Sequence, residues 1–315
     1  MSERTRIEML RARLGAPPAH VRVGIGDDCA VLDGGDDALV WTVDAAVEGV
    51  HFSRAWLPPF EIGWRATAAA ISDLAAMGAE PLGALAALVL PDDVDDAMLG
   101  AIADGQRAAA EDAGTSIIGG NLARGRELSL TTTALGRAPE PLPRDGARTG
   151  DAVWLAGEVG LAAAGLALLT GGRLDQGPGA TAARSAFARP HPRIAEGLAA
   201  RAHGRAAIDV SDGLATDLTR VATASQVRIV LAASALVSDP LAEVARALGR
   251  DPLELALFGG EDYALVVVAP SRAQLPGFRR IGACEPPAAG ASAVALCERD
   301  GSVRDLPDRG WDHFG

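Results

Sequence analysis

The stretch "AAAISDLAAMGA" (residues 68–79) reads as a helix built almost wholly from Ala, Ile, Leu and Met, with Asp73 in its middle. One helical turn away stand Ala69, Ala70, Ala76 and Met77, so no basic side chain sits where a helix would place a partner. An ionised carboxylate on an apolar helix face is costly unless something compensates it. Two kinds of partner stay open: an arginine from a distant segment, or a bound divalent cation. Whatever fold the chain adopts must pack this helix and bring one of them to Asp73.

Strand-like and helix-like segments alternate on both sides of it. Residues 4–14 read as a short amphipathic helix, and "VRVGIGDDCAVL" and "ALVWTVDAAVEGVHF" as two strands with a turn at "DGGDD". Residues 60–77 are the Asp73 helix, "PLGALAALVLP" a strand, and 93–113 a helix whose acidic start suits the macrodipole. "TSIIGGNLARGRELSLTTTALGRA" follows as strand, glycine turn and strand. "PEPLPRDGARTGD" (139–151) has the composition of a linker, which divides the 315 residues into an N-terminal domain, 1–138, and a C-terminal domain, 139–315.

Beyond that boundary, "AVWLAGEVG" is a strand leading to a helix over 160–170, and "GGRLDQGPGATAARSAF" reads as a surface excursion. A helix in "RPHPRIAEGLAARAHG", then strand, turn and helix in "AAIDVSDGLATDLTRVATAS", and a turn and strand in "FGGEDYALVVVA" complete the pattern. The alternation makes the fold class α/β (α+β) in two similar parts. Abundant Ala and Gly with only 4% aromatics suit close-packed layers.

The formal net charge of −12 argues against nucleic acid or an anionic membrane as the main partner. All 29 basic residues are Arg, because the sequence has no lysine. That excludes a Walker-A lysine, a kinase strand lysine and a Schiff base. Three cysteines without a CxxC pair point to a reducing compartment and no zinc cluster. "MSERTRIEMLRARLG" lacks the apolar core of a signal peptide, and apolar runs stop near ten residues, so a cytoplasmic protein is expected.

The remaining acidic residues of interest sit at turns. Asp27 and Asp28 follow Gly24 and Gly26, Asp44 ends "ALVWTV", Asp209 and Asp212 flank Ser211, and Glu261 and Asp262 follow a diglycine. Each alone has a plain explanation: Gly-Asp-Asp is a common turn, Asp212 could cap a helix, and Glu261 and Asp262 could solvate a loop. Together, without lysine, they suit an oxygen-ligated Mg²⁺ site that handles phosphate. Glycine turns could offer backbone N–H groups, and Thr42, Ser211, Arg124 and Arg144 further contacts.

The segments "GIGDDCAVL", "VDAAVEGVHF", "SDLAAMGAEP", "DVSDGLATDL", "GGEDYALV" and the closing "GWDHF", in that order, resemble the thiamine-monophosphate kinases of the aminoimidazole-ribotide synthetase family. The resemblance implies a two-domain fold whose N-terminal strands form an intersubunit barrel in a homodimer. It also implies direct in-line phosphoryl transfer from ATP to thiamine monophosphate with several Mg²⁺ ions. By matching position, it implies a metal site of Asp28, Thr42, Asp44, Asp73, Asp209 and Asp212, of which Asp44, Asp73 and Asp209 are the catalytic set. Gly120, Asn121, Arg144 and Ser211 match ATP contacts, and His51, Glu261, Asp262 and Trp311 match the thiamine side. His51 and Trp311 could equally be ordinary packing residues. Where the family reads Gly-Gly-Asp this chain reads "GGNLARG": Asn121 keeps a carbonyl oxygen but loses a charge. A tolerated variant, another acceptor, or a nucleotide-binding relative with little turnover all fit that change.

Overall fold

Small side chains let helices and sheets approach closely, and the chain uses this to build two mixed sheets around one central helix. The computed structural model describes residues 3–14, 17–172 and 177–310. The first part runs α1 (Glu3–Leu14), β1 (Val21–Val23), β2 (Ala30–Asp33), β3 (Ala38–Val47), α2 (Pro59–Ala76), β4 (Glu80–Leu90), α3 (Asp96–Asp112), β5 (Ile117–Arg124) and β6 (Ser129–Ala138). Its six strands are ordered β1-β2-β3-β6-β4-β5. Only β4 and β5 pair in parallel.

The second part runs β7 (Asp151–Ala156), α4 (Leu161–Thr170), α5 (Pro178–Ala188), α6 (Ile194–Ala200), β8 (Ala206–Val210), α7 (Leu214–Ser225), β9 (Arg228–Ala232), α8 (Asp239–Leu248), α9 (Pro252–Phe258), β10 (Ala264–Pro270), β11 (Arg279–Glu285), β12 (Val294–Cys297) and β13 (Val303–Asp305). Its seven strands are ordered β13-β12-β9-β11-β7-β10-β8, so β8 lies at an edge.

The apolar stretch of the opening forms the C-terminal half of α2. Thirteen of the eighteen α2 residues are buried, because the helix is covered on several sides. Ile71 and Leu74 pack on the first sheet with Val31, Val40 and Ala134. Ala66 packs with Phe187, and Ala76 with Leu142, Ala207 and Leu265 of the second part. A helix apolar all round is a buried one, and here it is the element both cores share.

Three segments differ from the sequence reading. "VRVGIGDDCAVL" is two short strands split by a turn, because Gly24 and Gly26 interrupt the ladder where the acidic pair falls. The expected surface excursion contains α5, opened by Pro178 and burying Ala180, Ala183 and Phe187. Proline at the first helical turn marks a start as readily as a loop, and the same applies to α8 and α9. Helix α1 is exposed along most of its described side chains rather than one-sided.

Two glycines let the backbones of α2 and α3 come into direct contact. A Cβ at Gly63 would lie 2.0 Å from the Ile102 carbonyl oxygen, and one at Gly105 would lie 1.9 Å from that of Phe60. Separating the helices would loosen the packing under the Asp73 turn. Gly105→Ala is therefore expected to cost about 1–3 kcal/mol, read as a lower midpoint in thermal or urea unfolding; an unchanged midpoint would show that the contact yields without strain.

Candidate active site

Asp73 lies in the last turn of α2, where the helix macrodipole is already negative. Among the described residues it has no ion pair. Its carboxylate accepts a hydrogen bond from Thr42 Oγ1 on β3, buried at 7% exposure. One residue earlier, Ser72 Oγ donates to Asp209 Oδ2 over 2.6 Å, joining α2 to the end of the edge strand β8. Asp28, from the turn between β1 and β2, completes the group: one oxygen each of Asp28, Asp73 and Asp209 lie within 4.8 Å of one another.

Three carboxylates this close, two of them served only by hydroxyls, cannot all stay ionised cheaply. Burial pushes the Asp73 carboxyl well above the usual range, and the neighbouring charges of Asp209 and Asp28 add to it. Asp209 is pushed up to about 7, first by burial and then by Asp28, against the pull of the Ser72 hydroxyl. Asp28 is raised by burial, with Arg144 opposing. The second oxygen of Asp28, Oδ2, is buried with no hydrogen-bond partner. An all-oxygen donor set with excess negative charge and one unpartnered oxygen fits a hard divalent cation such as Mg²⁺. Asp44, two residues along β3 from Thr42, adds to the charge felt by Asp73, and its own Oδ1 accepts the Ala45 N–H.

Two arginines flank the cluster and address different acids. Arg144, in the connection between β6 and β7, pairs with Asp28 and lies 3.7 Å from Asp27. Arg220 on α7 pairs with both Asp212 and Asp217. Asp212 is thus held by an arginine rather than joined to the three-carboxylate group.

Asp217, which the sequence reading passed over, is fully buried and accepts the backbone N–H groups of Ser211, Asp212 and Gly213 at 3.1, 3.1 and 3.2 Å. The glycine turn expected to offer N–H groups to phosphate directs them inward instead. The signal for Asp217 was its place one turn inside the helix after "VSDG", where a carboxylate can reach back to the turn.

The same internal use occupies Asp262. Its carboxylate accepts from Gly160 N (2.6 Å) and Ala162 N (3.0 Å), capping α4 from across the chain. Burial pushes it up to about 8, with those two bonds opposing. Asp262 therefore faces a helix end, whereas Glu261 beside it turns to Arg65 of α2 and accepts from Tyr263 Oη at 3.0 Å. Glu261 and Tyr263 both have left-handed backbone (φ 70° and 48°), uncommon for non-glycine residues and frequent at ligand sites. The Glu261 N–H donates to Ser211 O at 2.7 Å, which ties this turn to the end of β8. His51, after β3, accepts the Val47 N–H on Nδ1 at 3.0 Å. Trp311 lies outside the described residues.

Gly120 and Asn121 are not brought to the cluster within one chain. The row Asp44–Thr132–Ala86–Gly120 crosses from β3 to β5, three strand spacings or about 14 Å. Asn121 pairs with Ala87, whose row leads to Thr131 and Ala45, so by strand alternation it faces away from Asp44. Within a single chain the lost charge of Asn121 is therefore not beside Asp44.

This arrangement of two sheets and an acidic junction belongs to a known class. Residues 26–138 match the family described as AIR synthase related protein, N-terminal domain, and residues 148–276 match its C-terminal domain. A thiamine-monophosphate kinase of Mycobacterium tuberculosis is 37% identical over 312 residues, covering 95% of this chain and 87% of that protein. The Aquifex aeolicus thiamine-monophosphate kinase is 32% identical over 296 residues, covering 92% of each. A solved structure, AaThiL complexed with AMPPCP and TMP, matches with a TM-score of 0.90 at 31% identity, covering 99% of this chain and 97% of that one. The chain belongs to the thiamine-monophosphate kinase family.

The raised carboxyls set a pH dependence. Because the folded value of Asp209, about 7, exceeds that of an unfolded Asp, near 3.8, the fold holds a proton the unfolded chain has lost. This favours the fold below the unfolded value, and the advantage is lost as pH rises through 7. A cation must displace that proton, so it binds and stabilises better at higher pH. Saturation with Mg²⁺ at one fixed concentration should raise the melting temperature more at pH 8 than at pH 6; equal shifts would contradict a cation held by Asp209.

Proposed function

We propose that the chain transfers the γ-phosphoryl group of ATP to the phosphate of thiamine monophosphate, yielding thiamine diphosphate and ADP, with Mg²⁺ as the metal. The observation that carries this reading is the group Asp28, Asp73 and Asp209 at the junction of the two sheets. It lies in a fold whose solved relative is complexed with AMPPCP and TMP.

Asp28, Asp73 and Asp209 would hold the metal, with Thr42 fixing Asp73 and Ser72 fixing Asp209. Asp44 and Asp212 belong to the same acidic surround, the second held by Arg220. Bound Mg²⁺ supplies charge neutralisation on phosphate oxygens, the main demand of a loose phosphoryl-transfer transition state. With no lysine in the chain, Arg144 is the cation of this site placed to meet a phosphate. The acceptor is a phosphate oxygen already deprotonated at neutral pH, so the chain needs to orient it rather than remove a proton. Glu261, fixed by Arg65 and Tyr263, and His51 with Trp311 make up the acceptor side of this reading.

A homodimer is part of the same proposal. Trp41 and Val43 on β3 and Leu85 on β4 are 50%, 66% and 43% exposed. Val43 and Leu85 share one cross-strand row through Thr133, on the face opposite Thr42 and Asp44. An apolar face of this kind on a sheet suits a second copy, and barrel formation there would carry the partner's β5 toward the nucleotide. Among the described residues no helix is long and apolar enough to cross a membrane. All three cysteines are free, in keeping with a cytoplasmic setting.

A coupled assay with ATP, thiamine monophosphate and saturating Mg²⁺ should yield ADP and thiamine diphosphate in equal amounts. Asp73→Asn should lower kcat by about 100-fold or more. Wild-type protein forming no thiamine diphosphate would overturn the assignment. Val43→Glu, which puts a charge in the apolar face, should convert a dimer to monomers in light scattering; a wild-type monomer would remove the dimer from the proposal.

A further inference from the structure

Arg144 and Arg220 carry the same charge beside the same cluster but are held differently. Arg220 meets two carboxylates, Asp217 and Asp212, and is anchored on the helix that carries Asp217. Arg144 comes from the connection between the two sheets. Its Nη2 donates to Asp28 Oδ1, its Nη1 donates to the Gly26 carbonyl at 3.1 Å, and its Nε is buried with no hydrogen-bond partner. Asp28 is equally divided: one oxygen serves Arg144, while the other is buried and unpartnered beside Asp73 and Asp209. The Arg144 guanidinium is thus divided between Asp28 and Asp27, whose Oδ1 lies 3.7 Å from Nε, while one Asp28 oxygen stays open to another ligand.

We infer that Arg144 competes with the divalent cation for Asp28 and is released to the nucleotide's phosphate when the cation binds. This rests on the reading of the carboxylate group as a cation site. A divalent ion that takes Asp28 both withdraws that charge from Arg144 and repels the guanidinium. Arg144 would then keep only the longer, 3.7 Å approach to Asp27, a poor match for a largely buried guanidinium, whereas a phosphate offers it a planar, two-bond partner. Cation and nucleotide then favour each other's binding, because each removes what opposes the other. Arg144 is in this sense a positioning residue for Asp28 in the absence of nucleotide and a phosphate ligand in its presence.

Mn²⁺, followed by electron paramagnetic resonance on the full chain without nucleotide, provides the probe. Arg144→Gln should bind Mn²⁺ about tenfold more tightly than wild type, while its affinity for AMPPCP at saturating Mn²⁺ falls. Arg144→Met, which keeps the aliphatic stem, should shift both in the same directions and guards against a folding defect in the first variant. Arg220→Gln removes an equal charge without freeing Asp28 and should change Mn²⁺ affinity much less. Unchanged or weaker Mn²⁺ binding in both Arg144 variants overturns the competition, as does equal tightening in Arg220→Gln. Tighter Mn²⁺ binding in the Arg144 variants of a protein that does not phosphorylate thiamine monophosphate upholds the competition and removes only the proposed reaction. Absence of Mn²⁺ binding from wild type and variants alike removes both.

Discussion

The burial of α2 between two sheets is the constraint on which the rest depends. A helix covered by the first sheet, by α3 and by the second part leaves only a half-buried edge for a charge near its end. Asp73 is therefore poorly solvated, and most of the relief must come from what neighbouring elements bring. They bring a hydroxyl from β3 and two further carboxylates, which raises the demand for positive charge instead of meeting it. The site is a place where folding leaves an excess of negative charge, which a bound cation would offset.

Around that excess the chain meets its other anion-binding geometry internally. The three N–H groups at the start of α7 go to Asp217, and those at the start of α4 go to Asp262. Both helix starts would otherwise be attractive to phosphate. With these two filled, the proposed recognition of phosphate rests on a bound cation and on arginine, in keeping with a chain that has no lysine. The internal carboxylates also fix the turns on which Ser211, Asp212 and Glu261 lie, which makes this edge of the site rigid.

Much of this was legible from the order of residues. The helical neighbours of Asp73 showed that its partner must come from elsewhere, and alternating segments marked most strands and helices before any geometry was known. What the order of residues could not show was which side of each strand faces the site. Asn121 stands next to Gly120 in sequence, yet strand alternation turns it away from Asp44. Nor could it separate Asp262, which caps a helix a hundred residues away, from Glu261, which faces Arg65. Adjacent acidic letters look alike until the backbone, here at positive φ, sends them in different directions. Helix α5 was hidden for another reason, since Gly-Pro-Gly reads as a loop whether or not an alanine stripe follows it.

The hydrogen bond from Ser72 to Asp209 has a consequence for how the protein comes into being. The three clustered acids enter the chain at positions 28, 73 and 209, so two are made with the first sheet and the third only after about two-thirds of synthesis. Until β8 docks, Asp28 and Asp73 are an incomplete pair on a half-built molecule. A cation that needs all three carboxylates would then report that both halves have met.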